Sequence, residues 1–318
     1  DHRDLHSFPT RRSSDLSDAP SRDLHVDRLD ATGSILYWST TRAGIVEIPY
    51  GLPARDFLTQ AQVGRCVACH AVSRDGKIAV TYDGGDGPVG VRHLGADTDA
   101  LSPDAGQRGN FHTFSPDGRF RVSVYRGNLS LYDADTNAHL ADLWTSGDAT
   151  HPDWSPRDDR LVFARTSTRS TDWVIGRGGD LVTLDHLGDG RFTNPQVRVS
   201  ADPAHAIYYP AFSPDGAWLA YNRSTGDAYD DADAELWVVS ADGGVPVRLD
   251  AANGEGALAN SWPRWGPIPD SEVLWLAFAS RRPYGFLQSG VPQIWVAAFD
   301  PRLAAQGVDP SSPAHWLH

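Results

Sequence analysis

Phe114-Ser115-Pro116-Asp117-Gly118 followed by Arg119-Phe120-Arg121-Val122-Ser123-Val124-Tyr125 reads as a tight turn running into a β-strand, and the chain repeats it. Proline presets the first corner of the turn. Aspartate caps it through its side chain, and glycine takes a backbone angle that other residues resist. The turn recurs as Ser213-Pro214-Asp215-Gly216 and in degenerate form as Ser73-Arg74-Asp75-Gly76 and Ser155-Pro156-Arg157-Asp158, with Trp265-Gly266-Pro267 in the same slot near the end. The copies stand roughly 40 to 60 residues apart, the period of a propeller blade.

Each turn is followed by a β-rich run: 77–82, 120–125, 160–164, 218–222 and 273–278. A second strand comes next at 129–132, 181–184, 235–239 and 293–297, across Asp-, Gly- and Asn-rich turns. No long helical period interrupts them. Short strands of this spacing predict an all-β, six-bladed β-propeller of four-stranded blades. Its units begin near His25, Gly64, Gly109, Ala149, Ala204 and Ala259. The first unit lacks the turn but keeps a strand pair, 35–39 and 44–49. The ring is expected to be closed by residues 313–318 or 24–29.

Residues 1–16 (DHRDLHSFPTRRSSDL) match the translation of a common sequencing-adapter oligonucleotide and are expected to lie outside the fold, leaving residues 17–318 as a single domain. The chain has no methionine, even at position 1, so its natural start and any export signal are expected to be missing. The formal net charge of −13, from 41 acidic and 28 basic residues, argues against nucleic acid as a partner. No apolar run is long enough for a membrane span.

The only two cysteines lie in Cys66-Val67-Ala68-Cys69-His70, a CxxCH motif in the predicted second blade. This is the attachment signature of c-type haem: the thiols add to the two vinyl groups and the histidine ligates the iron. A Cys66–Cys69 disulfide or redox pair and incidental thiols stay open as alternatives. Zinc is disfavoured, because a fourth ligand would have to come from far away.

Aligned on the serine slot, the position four residues earlier holds Cys69, Phe111, His151, Tyr209 and Trp262, and the next holds His70, His112, Pro152, Pro210 and Pro263. On innermost strands these residues ring one mouth of the central channel. With no methionine to serve as sixth ligand, His112 or His151 is the candidate distal iron ligand opposite His70, with Tyr209 behind them and an open or water-bound site as the alternative, and a low-potential centre is expected. Asp227, Asp230, Asp231, Asp233 and Glu235 form an acidic loop in which calcium is possible, although the spacing is not that of an EF-hand. No nucleophile-elbow motif of a serine hydrolase is present.

The ordered set of CHAVSRDG, FSPDG, THPDWSP, YPAFSPDG, DAELWVVSADGG, SWPRWGP and SRRPYG resembles TolB-like (WD40-like) propellers of a bacterial exported family that carries CxxCH inside a blade, over about residues 30–318. It is similar, more distantly, to the propeller region of hydrazine synthase alpha subunits. The resemblance implies a periplasmic or cell-surface location. Two functions are expected. One is electron transfer or small-molecule redox through one covalent haem c, with a redox partner protein or small molecule at the channel mouth. The other is a non-catalytic scaffold that binds a protein or glycan there, with Cys66–Cys69 as a disulfide staple.

Overall fold

The computed structural model describes residues 34–49, 52–94, 104–166, 168, 171–172, 175–228, 231–269, 272–283 and 290–317. Residues 1–16 and the proposed closing strand at 24–29 lie outside them.

Six antiparallel sheets follow one another along the chain. The first holds β1 (Ser34–Ser39), β2 (Gly44–Pro49) and β3 (Arg55–Thr59), and the second holds β4 (Val67–Val72), β5 (Lys77–Tyr82), β6 (Pro88–His93) and β7 (Asp104–Arg108). The third is β8 (Asn110–Phe114), β9 (Phe120–Tyr125), β10 (Asn128–Asp133) and β11 (His139–Trp144). The fourth is β12 (Ala149–Trp154), β13 (Arg160–Arg165), β14 (Asp180–His186) and β15 (Phe192–Val199). The fifth is β16 (Ala206–Phe212), β17 (Trp218–Ser224), β18 (Glu235–Ser240) and β19 (Val247–Arg248), and the sixth is β20 (Ser261–Trp265), β21 (Leu274–Ser280), β22 (Gln293–Phe299) and β23 (His315–Trp316). The protein is a six-bladed β-propeller. Its first blade shows three strands among the described residues. The strands β4, β8, β12, β16 and β20 pack on one another in succession and line the axis.

The turns work as the sequence predicts, with one addition. Asp117 accepts from the Arg119 N–H (3.1 Å) and Gly118 sits at φ +71°. The serine hydroxyl also closes the turn, since Ser115 Oγ accepts from the Phe120 N–H (2.9 Å) and donates to Asp117 (2.6 Å). The blades adhere through apolar strand faces: Val122, Val124, Leu129 and Leu131 of the third blade and Leu161, Val162 and Phe163 of the fourth are buried in one core. One expectation is corrected. Residues 313–318 do not close the ring, because His315–Trp316 pairs with β22 as the outer strand of the sixth blade. Among the described residues no helix is long and apolar enough to cross a membrane, which leaves β-barrel spans unaddressed.

Candidate functional site

Every described axial strand carries an irregularity, at the same place in four of them and one residue earlier in β4. The ladder slips between Val67 and His70, Asn110 and Thr113, Thr150 and Asp153, Tyr208 and Ala211, and Ser261 and Arg264. The extra residue of such a bulge bends the strand and re-aims its side chain. In four blades that residue is left-handed: Phe111 (φ +44°), His151 (+51°), Tyr209 (+51°) and Trp262 (+59°). A non-glycine side chain there costs about 1–3 kcal/mol and persists only where the surroundings hold it.

What holds it is a ring cluster on the axis. Tyr209 stacks on Trp262 with centroids 3.8 Å apart. His151 lies 4.2 Å from Tyr209 and stands edge-on to Phe111 at 4.4 Å, while Phe111 lies 5.7 Å from Trp262. The expected collar at the channel mouth is therefore a plug inside the channel.

His151 accepts at Nδ1 from the Tyr209 N–H (3.5 Å), so Nε2 carries the proton. That buried Nε2 has no hydrogen-bond partner among the described residues, and the Phe111 ring stands perpendicular to the imidazole at 4.4 Å. Burial, and then the Arg264 charge, hold this imidazole neutral, well below the usual histidine range. His112 turns away between blades. Thr81 Oγ1 donates to the Gly109 carbonyl (2.7 Å) and so accepts from His112 Nε2 (2.8 Å). His112 Nδ1 then faces Ser123 and the fully buried Arg121 (3.3 Å). Both ring nitrogens of this candidate ligand are engaged.

The CxxCH residues face three environments. Cys66 is exposed beside the 83–87 turn, where its carbonyl accepts from the Asp83 N–H (3.0 Å). The Cys69 thiol turns inward, and burial pushes it up to about 11 against a partial offset from the Phe111 main chain. His70 Nε2 lies 3.4 Å from the Leu36 carbonyl of the first blade, and burial brings this imidazole down to about 4.

No disulfide joins the cysteines; both are free. The reason is the strand, since three extended residues span roughly 10 Å less the bulge, against a disulfide Cα separation of about 4.4–6.8 Å. As placed, the motif does not fit a histidine-ligated haem c. The Leu36 carbonyl faces His70 Nε2 at 3.4 Å, where an iron ligand would need open space, and His70 lines a different cavity from the one beside Cys66.

That second cavity, about 500 Å³, opens at the serine-turn end of the channel. Around it stand Leu36, His70, His112, Phe114, Trp154 and the pair Asp153–Arg264. Arg264 Nη1 reaches across from the sixth blade to Asp153 Oδ1 of the fourth at 3.3 Å, and Asp153 Oδ2 accepts from the Phe212 N–H (2.8 Å). Burial raises Asp153 to about 6 even against the Arg264 charge. Sequence reading missed this pair, although a signal was there: two residues before the serine slot stand Ala71, Thr113, Asp153, Ala211 and Arg264, opposite charges in a column of small side chains.

The acidic loop is turned on itself. Asp233 accepts from the Thr225 N–H (3.1 Å), Asp231 from the Gly226 N–H, and Glu235 pairs with Arg248 (3.0 Å); Asp230 lies outside the described residues. Among the described residues no three His, Cys, Asp or Glu side chains gather as a metal site.

Comparison with solved structures places the architecture. A protein assigned as TolB from Agrobacterium tumefaciens superposes with TM-score 0.53 at 17% identity, covering 80% of this chain and 81% of that one. The fold is TolB-like. TolB from Acinetobacter baumannii gives 0.53 at 14% identity (80% and 56% covered), and hydrazine synthase of Kuenenia stuttgartiensis gives 0.51 at 14% (83% and 72%). In sequence, an uncharacterized protein, Atu1656, of Agrobacterium fabrum (strain C58) is 29% identical over 168 residues; these are 50% of this chain, which spans about half (52%) of that relative. No family model matches.

Proposed function

We propose that this chain is an exported, non-catalytic TolB-like propeller that binds its partner at the serine-turn mouth of the channel. One observation carries the reading: the ring cluster of Phe111, His151, Tyr209 and Trp262 stops the channel and leaves a cavity of about 500 Å³, of mixed polar and apolar lining, behind it. A stopped propeller channel is a recess for one ligand group or one protruding side chain, not a conduit. Val72 lines the rim and is exposed, so Val72→Trp blocks the recess without touching the core. A thermal-shift screen of small polar fragments should find hits on the parent chain that vanish in V72W. Hits that survive V72W, or none at all, count against the recess.

A second reading is favoured by the thiols. The only two cysteines of the chain are unpaired at haem-attachment spacing. Cys66 stands beside a cavity of about 410 Å³ lined by two arginines and two aspartates, Arg65 paired with Asp83, and Arg108 and Asp86. Covalent haem c there, serving electron transfer or small-molecule redox with a partner, requires the start of β4 to rearrange. Periplasmic expression with haem-maturation machinery decides it: a haem band surviving denaturation and lost in Cys66→Ala supports attachment, and colourless protein refutes it.

A further inference from the structure

The recess carries more chemical information than its shape, and the following step rests on the binding reading above. We propose that it takes a carboxylate with a short apolar body, the carboxylate seated on the outward side of the Arg264 guanidinium.

Arg264 is half exposed (52% of its side chain) at the end of the channel, and among the described residues its one bond is the 3.3 Å contact with Asp153. A guanidinium offers five donors in a planar fork that matches a carboxylate in bidentate fashion. One engaged donor leaves an edge of that fork for a ligand. Arg74, exposed on the rim, makes no ion pair among the described residues and adds a second positive charge. Among the described residues Asp153 is the one carboxylate lining the recess, and it is committed to Arg264 and to the Phe212 N–H. A cationic ligand would therefore have to displace Arg264. Doubly charged phosphate would meet Asp153 with only Arg264 beside it and Arg74 out on the rim, whereas a monoanionic carboxylate meets less repulsion. The rest of the wall, Leu36, Leu94, Phe114 and Trp154, is apolar and suits a few methylenes.

The test uses the full chain at pH 7.5 and low salt, titrated calorimetrically with hexanoate, hexanamide and hexylamine. Hexanoate should bind saturably, and hexanamide at least tenfold more weakly. Arg264→Gln should weaken hexanoate at least tenfold. Asp153→Asn removes the competing carboxylate and keeps the guanidinium, so it should bind hexanoate more tightly; this variant keeps the proposal testable if R264Q fails to fold. No saturable hexanoate binding, equal binding by R264Q, or weaker binding by D153N overturns the proposal. Hexanamide or hexylamine binding that is lost in V72W but indifferent to R264Q overturns the carboxylate and leaves the recess standing. Failure of every probe together with an empty fragment screen removes both.

Discussion

The ammonium of Lys77 donates across a blade boundary to the main-chain carbonyl of Gly118 at 2.9 Å. Lys77 is the only lysine in the chain and it is buried, with Asp75 at 2.7 Å and Asp135 at 3.0 Å as counter-charges. Two blades further on, Arg160 makes the same staple, donating to the Gly216 carbonyl (3.2 Å) while paired with Asp158 and Asp242. A base just after one serine turn thus clamps the glycine of the next blade's turn. Lys77→Met should cost about 2 kcal/mol, since it strands a carbonyl and uncouples two partly solvated carboxylates. Chemical denaturation checks this; a loss under about 0.5 kcal/mol would make the staple incidental.

The left-handed bulge gives a sharper test. At an ordinary strand position glycine is the worse replacement, because it adds entropy to the unfolded chain. Phe111 sits at φ +44°, where alanine keeps the strain and glycine relieves it. Both variants lose the ring and fall several kcal/mol below the parent. Phe111→Gly should nonetheless be more stable than Phe111→Ala by about 1 kcal/mol. The reverse order in unfolding midpoints would mean that residue 111 leaves the left-handed region once its ring is gone.

The blade boundaries were legible because serine, proline, aspartate and glycine act locally: a turn needs no knowledge of its neighbours. The column on the axis was legible for the same reason, as a fixed offset from the turn. Which way each member points was not, because the bulge inserts a residue and reassigns the faces beyond it. His112 and His151 show the difference. Adjacent columns of an alignment sent one imidazole between blades to Thr81 and the other onto the axis against Phe111. The Asp153–Arg264 contact was hidden by sequence separation, since it joins the fourth and sixth blades and needs the ring closed in space.

The two thiols should behave very differently. Cys66 is exposed and Cys69 is turned inward, raised to about 11 by burial. Since the thiolate is the reacting species, Cys69 at pH 8 is about a thousandfold poorer in it than in the alkaline limit, before shielding is counted. A disulfide-exchange reagent at pH 8 should label one thiol quickly and the second at least a hundredfold more slowly. Cys66→Ser should remove the fast phase. Two equally fast phases would show that the start of β4 opens readily, which the haem reading requires.

Acid sensitivity follows from the buried imidazoles. His70, His112 and His151 are all pushed down, first by burial, then by Arg264 for His70 and His151 and by Arg121 for His112. In the unfolded chain each takes a proton near pH 6.5, which the folded chain refuses. Their contribution is therefore complete above pH 6.5 and is lost as the pH falls toward 4. Asp153 works in the opposite sense. Raised to about 6 by burial, it binds a proton in the folded state before the unfolded chain does, so its contribution is present below about 4 and lost as the pH rises through 6. Between pH 6 and 4.5 three imidazoles oppose one carboxyl, and net stability should fall on acidification. His151→Phe puts in the ring that the third blade already carries in this column at Phe111. It should flatten the stability-against-pH slope over that window by one proton, about 1.4 kcal/mol per pH unit. His112→Phe is the poorer probe, because it strands Thr81 and Arg121 as well. Denaturation of the parent and H151F at pH 4.5, 5.25 and 6 measures the difference, and parallel slopes would mean that His151 is protonated in the folded protein and that its ring lies outside the plug.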